Sequence, residues 1–194
     1  MRVIAGQFRS RPLHSLQGVE LRPTSDRLRE TLFNVLAAGN PAAFEGSVWL
    51  DLCAGTGAVG IEALSRGAAR VYFVESSPPA ASLIRRNLRS LGLEHGSGVP
   101  GFQVLQDDVS RAVGKLEAEG VTPDFIFLDP PYRLEQLYRH TLQLLSQSSH
   151  LGPKTMIVAE HEKRFDPGDG LALLHRYRKL IQGDAALSFY RLPE

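Results

Sequence analysis

The sequence predicts an α/β fold: a mostly parallel sheet covered by helices on both faces. Three observations predict it. Apolar strand-type runs alternate with helix-period stretches from residue 48 to residue 160, an order that produces parallel strands. The first of these strands, 48–52, breaks into Gly55-Thr56-Gly57 and a helical stretch from Ala58, the way such folds bring backbone close to a nucleotide-like ligand. The last two strand-type runs, 172–181 and 185–192, meet at Gln182-Gly183-Asp184 with no helix between them, so they pair antiparallel at one edge. The expected architecture is Rossmann-like: a seven-stranded, mostly parallel sheet with one antiparallel edge strand, plus a short N-terminal arm and helix.

In chain order, residues 2–5 and 12–16 read as short strands of a hairpin-like arm around Arg9-Ser10-Arg11. Arg22 to Asp26 is a turn rich in N-cap candidates, and Leu28, Leu32, Val35 and Leu36 then recur at helical spacing. Residues 1–40 form an extension, and 41–194 form the main domain. Strand 70–75 leads to a helix opened by Pro78-Pro79 with Leu83, Ile84, Leu88 and Leu91 on one face. A Gly-rich loop at 96–101 precedes strand 102–106, Asp107-Asp108 and a helix at about 110–119. Strand 124–129 runs into Pro130-Pro131-Tyr132. The next helix carries Leu134, Leu137, Tyr138, Leu142 and Leu145, and strand 155–160 follows.

The composition is that of an ordinary soluble domain, 43% hydrophobic and 22% charged, with no run able to span a bilayer and no signal-peptide core. A cytoplasmic protein is expected. The single cysteine, Cys53, excludes a disulfide framework and reads as a small buried residue; the six histidines lack metal-ligand spacing, so no metal is expected. Net charge is only +1, but residues 1–30 hold six arginines (Arg2, Arg9, Arg11, Arg22, Arg27 and Arg29) against three carboxylates. Arginine suits phosphate forks and stacking on bases.

Gly55 to Gly60 formally matches G-x-G-x-x-G, so an NAD-dependent oxidoreductase is one reading. Asp51 argues against it. A carboxylate at the strand tip repels a pyrophosphate and favours a cationic ligand such as S-adenosylmethionine, which carries a sulfonium and an ammonium but no phosphate. Glu75, at the end of the second strand, is placed to accept from ribose hydroxyls, and Asp108 is favoured over Asp107 as an acceptor for an adenine amino group. Asp129-Pro130-Pro131-Tyr132 names the acceptor. An exocyclic amino nitrogen on a base is a poor nucleophile because its lone pair is delocalised into the ring. The Asp129 carboxylate and the Pro130 carbonyl, stiffened by two prolines, can draw that lone pair out, while Tyr132 offers a face for stacking. Methyl transfer would then be an in-line displacement governed by proximity. Guanine and adenine both fit at this point, as does a non-catalytic RNA-binding module on the same fold. Asn87 and His161 read as structural, Asn87 satisfying a local backbone group.

Asp51-Leu-Cys-Ala-Gly-Thr-Gly57 resembles the first motif of class I adenosylmethionine-dependent methyltransferases, and Asp129-Pro-Pro-Tyr132 resembles their motif for amino-group targets. Arg2 to Gly6, Arg22 to Arg27, Leu32-Phe-Asn34, Glu62 to Gly67, Glu160-His161 and Gly183-Asp184 with Ser188-Phe-Tyr190 resemble the RsmD-type methyltransferases over nearly the whole chain. The resemblance implies methylation of the N2 amino group of a guanine in 16S rRNA, within a small-subunit assembly particle. It implies S-adenosyl-L-methionine contacts at Asp51, Ala54, Gly55, Gly57, Glu75 and Asp108. It places Asp129, Pro130 and Tyr132 on the guanine, and Arg2, Arg9, Arg11, Arg22 and Arg27 on RNA. Cys53, Thr56, Gln182 and Ser76-Ser77-Pro78 depart from the family's usual residues.

Overall fold

The structure is a computed structural model describing residues 1–15, 25–93, 101–171 and 173–193. Arg22 with the rest of the 22–24 turn, residue 16 of the arm, and most of the Gly-rich 96–101 stretch lie outside the described residues.

Strands β1 (Val48–Leu52), β2 (Arg70–Val74), β3 (Gly101–Leu105), β4 (Phe125–Leu128), β5 (Met156–Glu162), β6 (Gly170–Leu171), β7 (Leu174–Gln182) and β8 (Ala185–Arg191) form one sheet in the order β3-β2-β1-β4-β5-β8-β7-β6. The first five positions are parallel. The terminal hairpin follows, β8 running antiparallel to β5 and to β7. The reversed strand β8 lies between β5 and β7 rather than outermost, and its burial explains why. Ala185 to Tyr190 are all buried, whereas β7 is largely open to solvent. A strand buried along almost its whole length needs a neighbour on each side. The two-residue β6 pairs antiparallel with β7 and makes an eighth strand, too short for any periodicity to reveal.

Helices cover both faces. On one lie α1 (Asp26–Leu36), α2 (Ala58–Ser65) and α3 (Pro78–Ser90), with Phe33, Leu64 and Ile84 packed in one cluster with Trp49, Phe73 and Phe127. On the other lie α4 (Val109–Ala118) and α5 (Glu135–Ser146), where Leu116, Tyr138 and Leu142 join Leu52, Val74 and Leu128. Strand alternation sends Trp49 and Phe127 one way and their neighbours Leu50 and Leu128 the other. Local signals set the helix starts. The Ser25 hydroxyl accepts from Leu28 N at 3.1 Å to cap α1, and α3 opens on two prolines in its first turn. Leu134 precedes α5 and is exposed, so the helix's buried stripe runs through Tyr138, Leu142 and Leu145.

The arm is a single bridge, Arg2 to Pro12, rather than two strands. It docks on the main domain through side chains far away in sequence. Val3 and Leu13 are buried in the α1–α3 core. Glu62 of α2, wholly buried, accepts from Ile4 N at 2.8 Å, Ala5 N at 3.0 Å and Arg66 Nε at 2.8 Å. Asn87 of α3 accepts from His14 N at 2.8 Å and donates to Thr56 O at 3.0 Å. Its partners are distant backbone, not the local group expected. Arg29 is the other correction. It is 0% exposed, pairs with Asp26 at 3.0 Å and stands beside Glu62 and the Arg2 carbonyl. It shares the α1 stripe with Leu28, Leu32 and Phe33, so it is core rather than part of the basic surface. Arg2, Arg9, Arg11 and Arg27 are exposed.

Candidate active site

Residues 51–60 turn strand β1 into helix α2, and three backbone N–H groups of this turn are already engaged. Gly55 N donates to Glu75 Oε2 at 2.8 Å, Gly57 N to Ala54 O at 2.7 Å, and Gly60 N to Asp51 Oδ2 at 2.9 Å. The turn depends on two glycines for different reasons. Gly57 caps α2 in the left-handed region at φ +76°. At Gly60 a Cβ would lie 2.4 Å from Phe73 Cε1, so its absence lets α2 press onto β2. Cys53 also has positive φ, +61°, and its thiol is pushed up by burial. It is an inert wall, not a nucleophile.

A cavity of about 790 Å³ opens at the carboxyl ends of β1, β2, β3 and β4, the rim where parallel sheets bind ligands. Its wall includes Asp51, Ala54 and Gly55 from the first turn, and Glu75 from the end of β2. Asp107 and Asp108 follow β3, and Asp129 to Tyr132 follow β4. The described wall thus gathers every predicted cofactor and acceptor residue except Gly57, whose part is conformational. Leu134 and Leu137, read from sequence as helix face, line it as well.

Five carboxylates face this space against one arginine, Arg133. Asp51 is 2% exposed. Burial pushes its carboxyl up to about 7, the Gly60 N–H opposes the rise, and the charge of Glu75 adds to it. Glu75 spans two loops, its other oxygen accepting from Ser77 N at 2.8 Å. Each oxygen keeps a further lone pair for a ribose hydroxyl. Asp108 is the N-cap of α4, accepting from Arg111 N at 3.0 Å and pairing with Arg111 Nε at 3.2 Å. It is more exposed than Asp107, which is half-buried. The 107-versus-108 choice is therefore balanced by geometry.

At the β4 end, Pro130 is buried, while Asp129 and Tyr132 are half-buried. Sequence reasoning missed what holds them. Tyr138 is 0% exposed, and its hydroxyl lies 2.9 Å from both the Pro130 and the Glu160 carbonyl oxygens. The Tyr132 hydroxyl lies 3.5 Å from Glu160 Oε1. The signal existed only as an aromatic with a polar tip in an apolar stripe. His161 is structural: it is buried, with Nε2 2.8 Å from Ser188 Oγ and Nδ1 2.9 Å from Glu162 O. Of the exposed arginines, Arg11 donates to Ser90 O at 3.0 Å, and Arg2 stands 3.9 Å from Asp26. Arg2, Arg9, Arg11 and Arg27 all lie outside the cavity wall.

A parallel sheet with an acid-walled cleft at the β1, β2 and β4 tips, and an Asp-Pro-Pro-Tyr rim beside it, defines a methyltransferase of the Rossmann-like class. The family model described as Conserved hypothetical protein 95 matches residues 1–191, and the chain belongs to that family. YlbH of Bacillus subtilis (strain 168) is 34% identical over 191 residues, 98% of either chain. Ribosomal RNA small subunit methyltransferase D of Escherichia coli (strain K12) is 33% identical over 191 residues, 98% of this chain and 89% of that protein. The solved structure of Escherichia coli yhhF matches with a TM-score of 0.79 at 30% identity, covering 100% of this chain and 99% of that one.

Proposed function

We propose that this methyltransferase uses S-adenosyl-L-methionine to methylate the exocyclic N2 amino group of a guanine in 16S ribosomal RNA, acting in the cytoplasm on a small-subunit assembly particle. The observation that carries the reading is one cavity holding two sets of groups side by side. Asp51, Gly55 and Glu75 form a donor end, and Asp129, Pro130 and Tyr132 an acceptor end. The printed name of the Escherichia coli relative supports the ribosomal RNA substrate.

The donor end fits adenosylmethionine in its chemistry. The N–H groups of Gly55 and Gly60, which would cradle a pyrophosphate, already donate to Glu75 and Asp51. The same carboxylates favour a ligand bearing positive charge. This favours adenosylmethionine over NAD. When bound, the cofactor supplies a sulfonium methyl for in-line transfer and leaves as a neutral thioether. Asp51 and the turn around Gly55 would hold the cationic end, and Glu75 would accept from the ribose.

At the acceptor end, Asp129 and the Pro130 carbonyl accept from the two amino protons, which turns the nitrogen lone pair toward the methyl group. Asp129 then takes the proton the nitrogen sheds. Tyr132 stacks on the base, and the leucines at 134 and 137 help to exclude water. The exposed arginines of the arm meet RNA phosphates.

The test is to incubate the protein and labelled adenosylmethionine with small-subunit particles from a strain lacking it, then digest to nucleosides. Label in N2-methylguanosine supports the reading. Label in N6-methyladenosine, or none, contradicts it.

A further inference from the structure

One strongly charged surface has no part in the chemistry above. Helix α3 carries Arg85, Arg86 and Arg89 and no acidic residue. Residues 1–15 hold Arg2, Arg9, Arg11 and His14, again with no acidic residue. The fold lays these two stretches side by side. Arg11 Nη2 donates to Ser90 O at 3.0 Å, while Asn87 accepts from His14 N at 2.8 Å and donates to His14 O at 3.2 Å. Arg85 turns inward to Val104 O at 3.4 Å, but Arg11, Arg86 and Arg89 are exposed. Among the described residues, no carboxylate pairs with these three; the paired arginines include Arg2, Arg29, Arg66 and Arg111.

Local structure accounts for part of this cluster. The carbonyl end of a helix attracts a cation, which explains Arg89 in the last turn and Arg11 on the Ser90 carbonyl. It does not explain Arg86, one turn further in, where a second like charge three residues from Arg89 is repelled. An acid-free group of guanidinium forks suits a polyanion, and phosphate above all. The surface is also remote from the cleft. α3 starts after Ser77, which lines the cavity, and at 1.5 Å per residue Arg86 and Arg89 lie about 12 and 16 Å along it from Pro78. We propose that α3 and the arm form an anchoring surface for the sugar–phosphate backbone of the ribosomal RNA, with Arg11, Arg86 and Arg89 on phosphates away from the nucleotide in the cleft. This rests on the ribosomal RNA reading and adds an interaction surface to it.

The test is the double variant Arg86→Gln/Arg89→Gln, with Arg139→Gln on the exposed side of α5 as the charge control. Methylation of small-subunit particles should show KM raised at least about tenfold and kcat within about twofold of wild type. Adenosylmethionine affinity should be unchanged, because neither arginine lines the cavity. In filter binding to 16S rRNA, the slope of log affinity against log salt should fall by about two. Arg86→Lys/Arg89→Lys keeps both charges and should keep most of the slope. Arg139→Gln should leave KM and slope at wild-type values.

A double variant with wild-type KM and slope overturns the inference, as does a fall in kcat alone or an equal loss in Arg139→Gln. A wild type that methylates no guanine, yet binds 16S rRNA with a slope that depends on Arg86 and Arg89, overturns the proposed reaction and supports the surface. A wild type that binds no 16S rRNA overturns both.

Discussion

The Tyr138 hydroxyl stands 2.9 Å from the Pro130 carbonyl oxygen and 2.9 Å from that of Glu160, so one buried phenol ties the β4 tip to the β5 tip beside the proposed acceptor end. Tyr138→Phe keeps the ring and removes the tie. Stability should fall by about 1 kcal/mol, the worth of one hydrogen bond, read by denaturant titration. The turnover number should fall by roughly tenfold as the Pro130 carbonyl loses its aim, with adenosylmethionine affinity unchanged. A parallel loss of cofactor affinity would mean that the tie acts on the whole cleft.

Glu75 joins the turn after β1 to the loop after β2, through Gly55 N and Ser77 N. Glu75→Ala frees both loops and removes the proposed ribose acceptor. Calorimetric titration should show adenosylmethionine binding weakened by about two hydrogen bonds to a charged group, a hundredfold or more. An affinity within threefold of wild type would place the ribose elsewhere.

Asp51 gives the cleft a pH signature. Burial raises its carboxyl to about 7, so below neutral pH the folded protein holds a proton that the unfolded chain has released. That stabilisation is fully present below the ordinary carboxylate range and is lost as pH rises through about 7. Asp51→Asn should therefore raise Tm at pH 8 and change it little near pH 4. A cationic ligand pulls the other way by favouring the ionised form. Adenosylmethionine affinity should climb with pH up to about 7 and level off above it, a dependence that Asp51→Asn should abolish.

The arm is clasped by Glu62, which meets Ile4 N, Ala5 N and Arg66, with Arg29 Nε at 3.8 Å. Burial pulls the Arg29 guanidinium below its ordinary value against the attraction of Glu62 and Asp26. Removing a buried partner charge costs about 3–5 kcal/mol. Glu62→Ala should show that loss in chemical denaturation, together with protease cleavage within residues 1–15. A loss under 1 kcal/mol would contradict the clasp.

Arg2, Arg9, Arg11 and Arg27 are exposed on the arm and α1. If they meet phosphates, each alanine variant should weaken RNA binding and lower the slope of log affinity against log salt by about one. Filter binding across a salt series reads both, and unchanged slopes would move the RNA to another face.

Most of the sheet was legible because the runs of β1, β2 and β4 are mostly apolar and Gly or Pro follows each of them. Residues 51–57 and 129–132 marked the cleft for the same local reason: strand tips that break into glycine or proline announce themselves. What stayed hidden depends on contacts between distant residues. Arg29 counts as a surface charge until the α1 stripe is wrapped onto the sheet. Asn87 gives no sign that it holds His14 and Thr56. Tyr138 looks like any apolar helix residue, although its hydroxyl reaches Pro130. Asp108 is a helix cap as well as part of the cavity wall, a double placement that residue type alone does not show.

The division of the cleft into a donor end and an acceptor end is tested most directly by Asp129→Ala. Adenosylmethionine affinity by calorimetry and methyl transfer to small-subunit particles are measured on the same preparation. The expected result is cofactor affinity within about threefold of wild type, since Asp51 and Glu75 are intact, and methyl transfer reduced by at least about a hundredfold. Methyl transfer at the wild-type rate would contradict the assignment of the amino-group acceptor to the β4 tip.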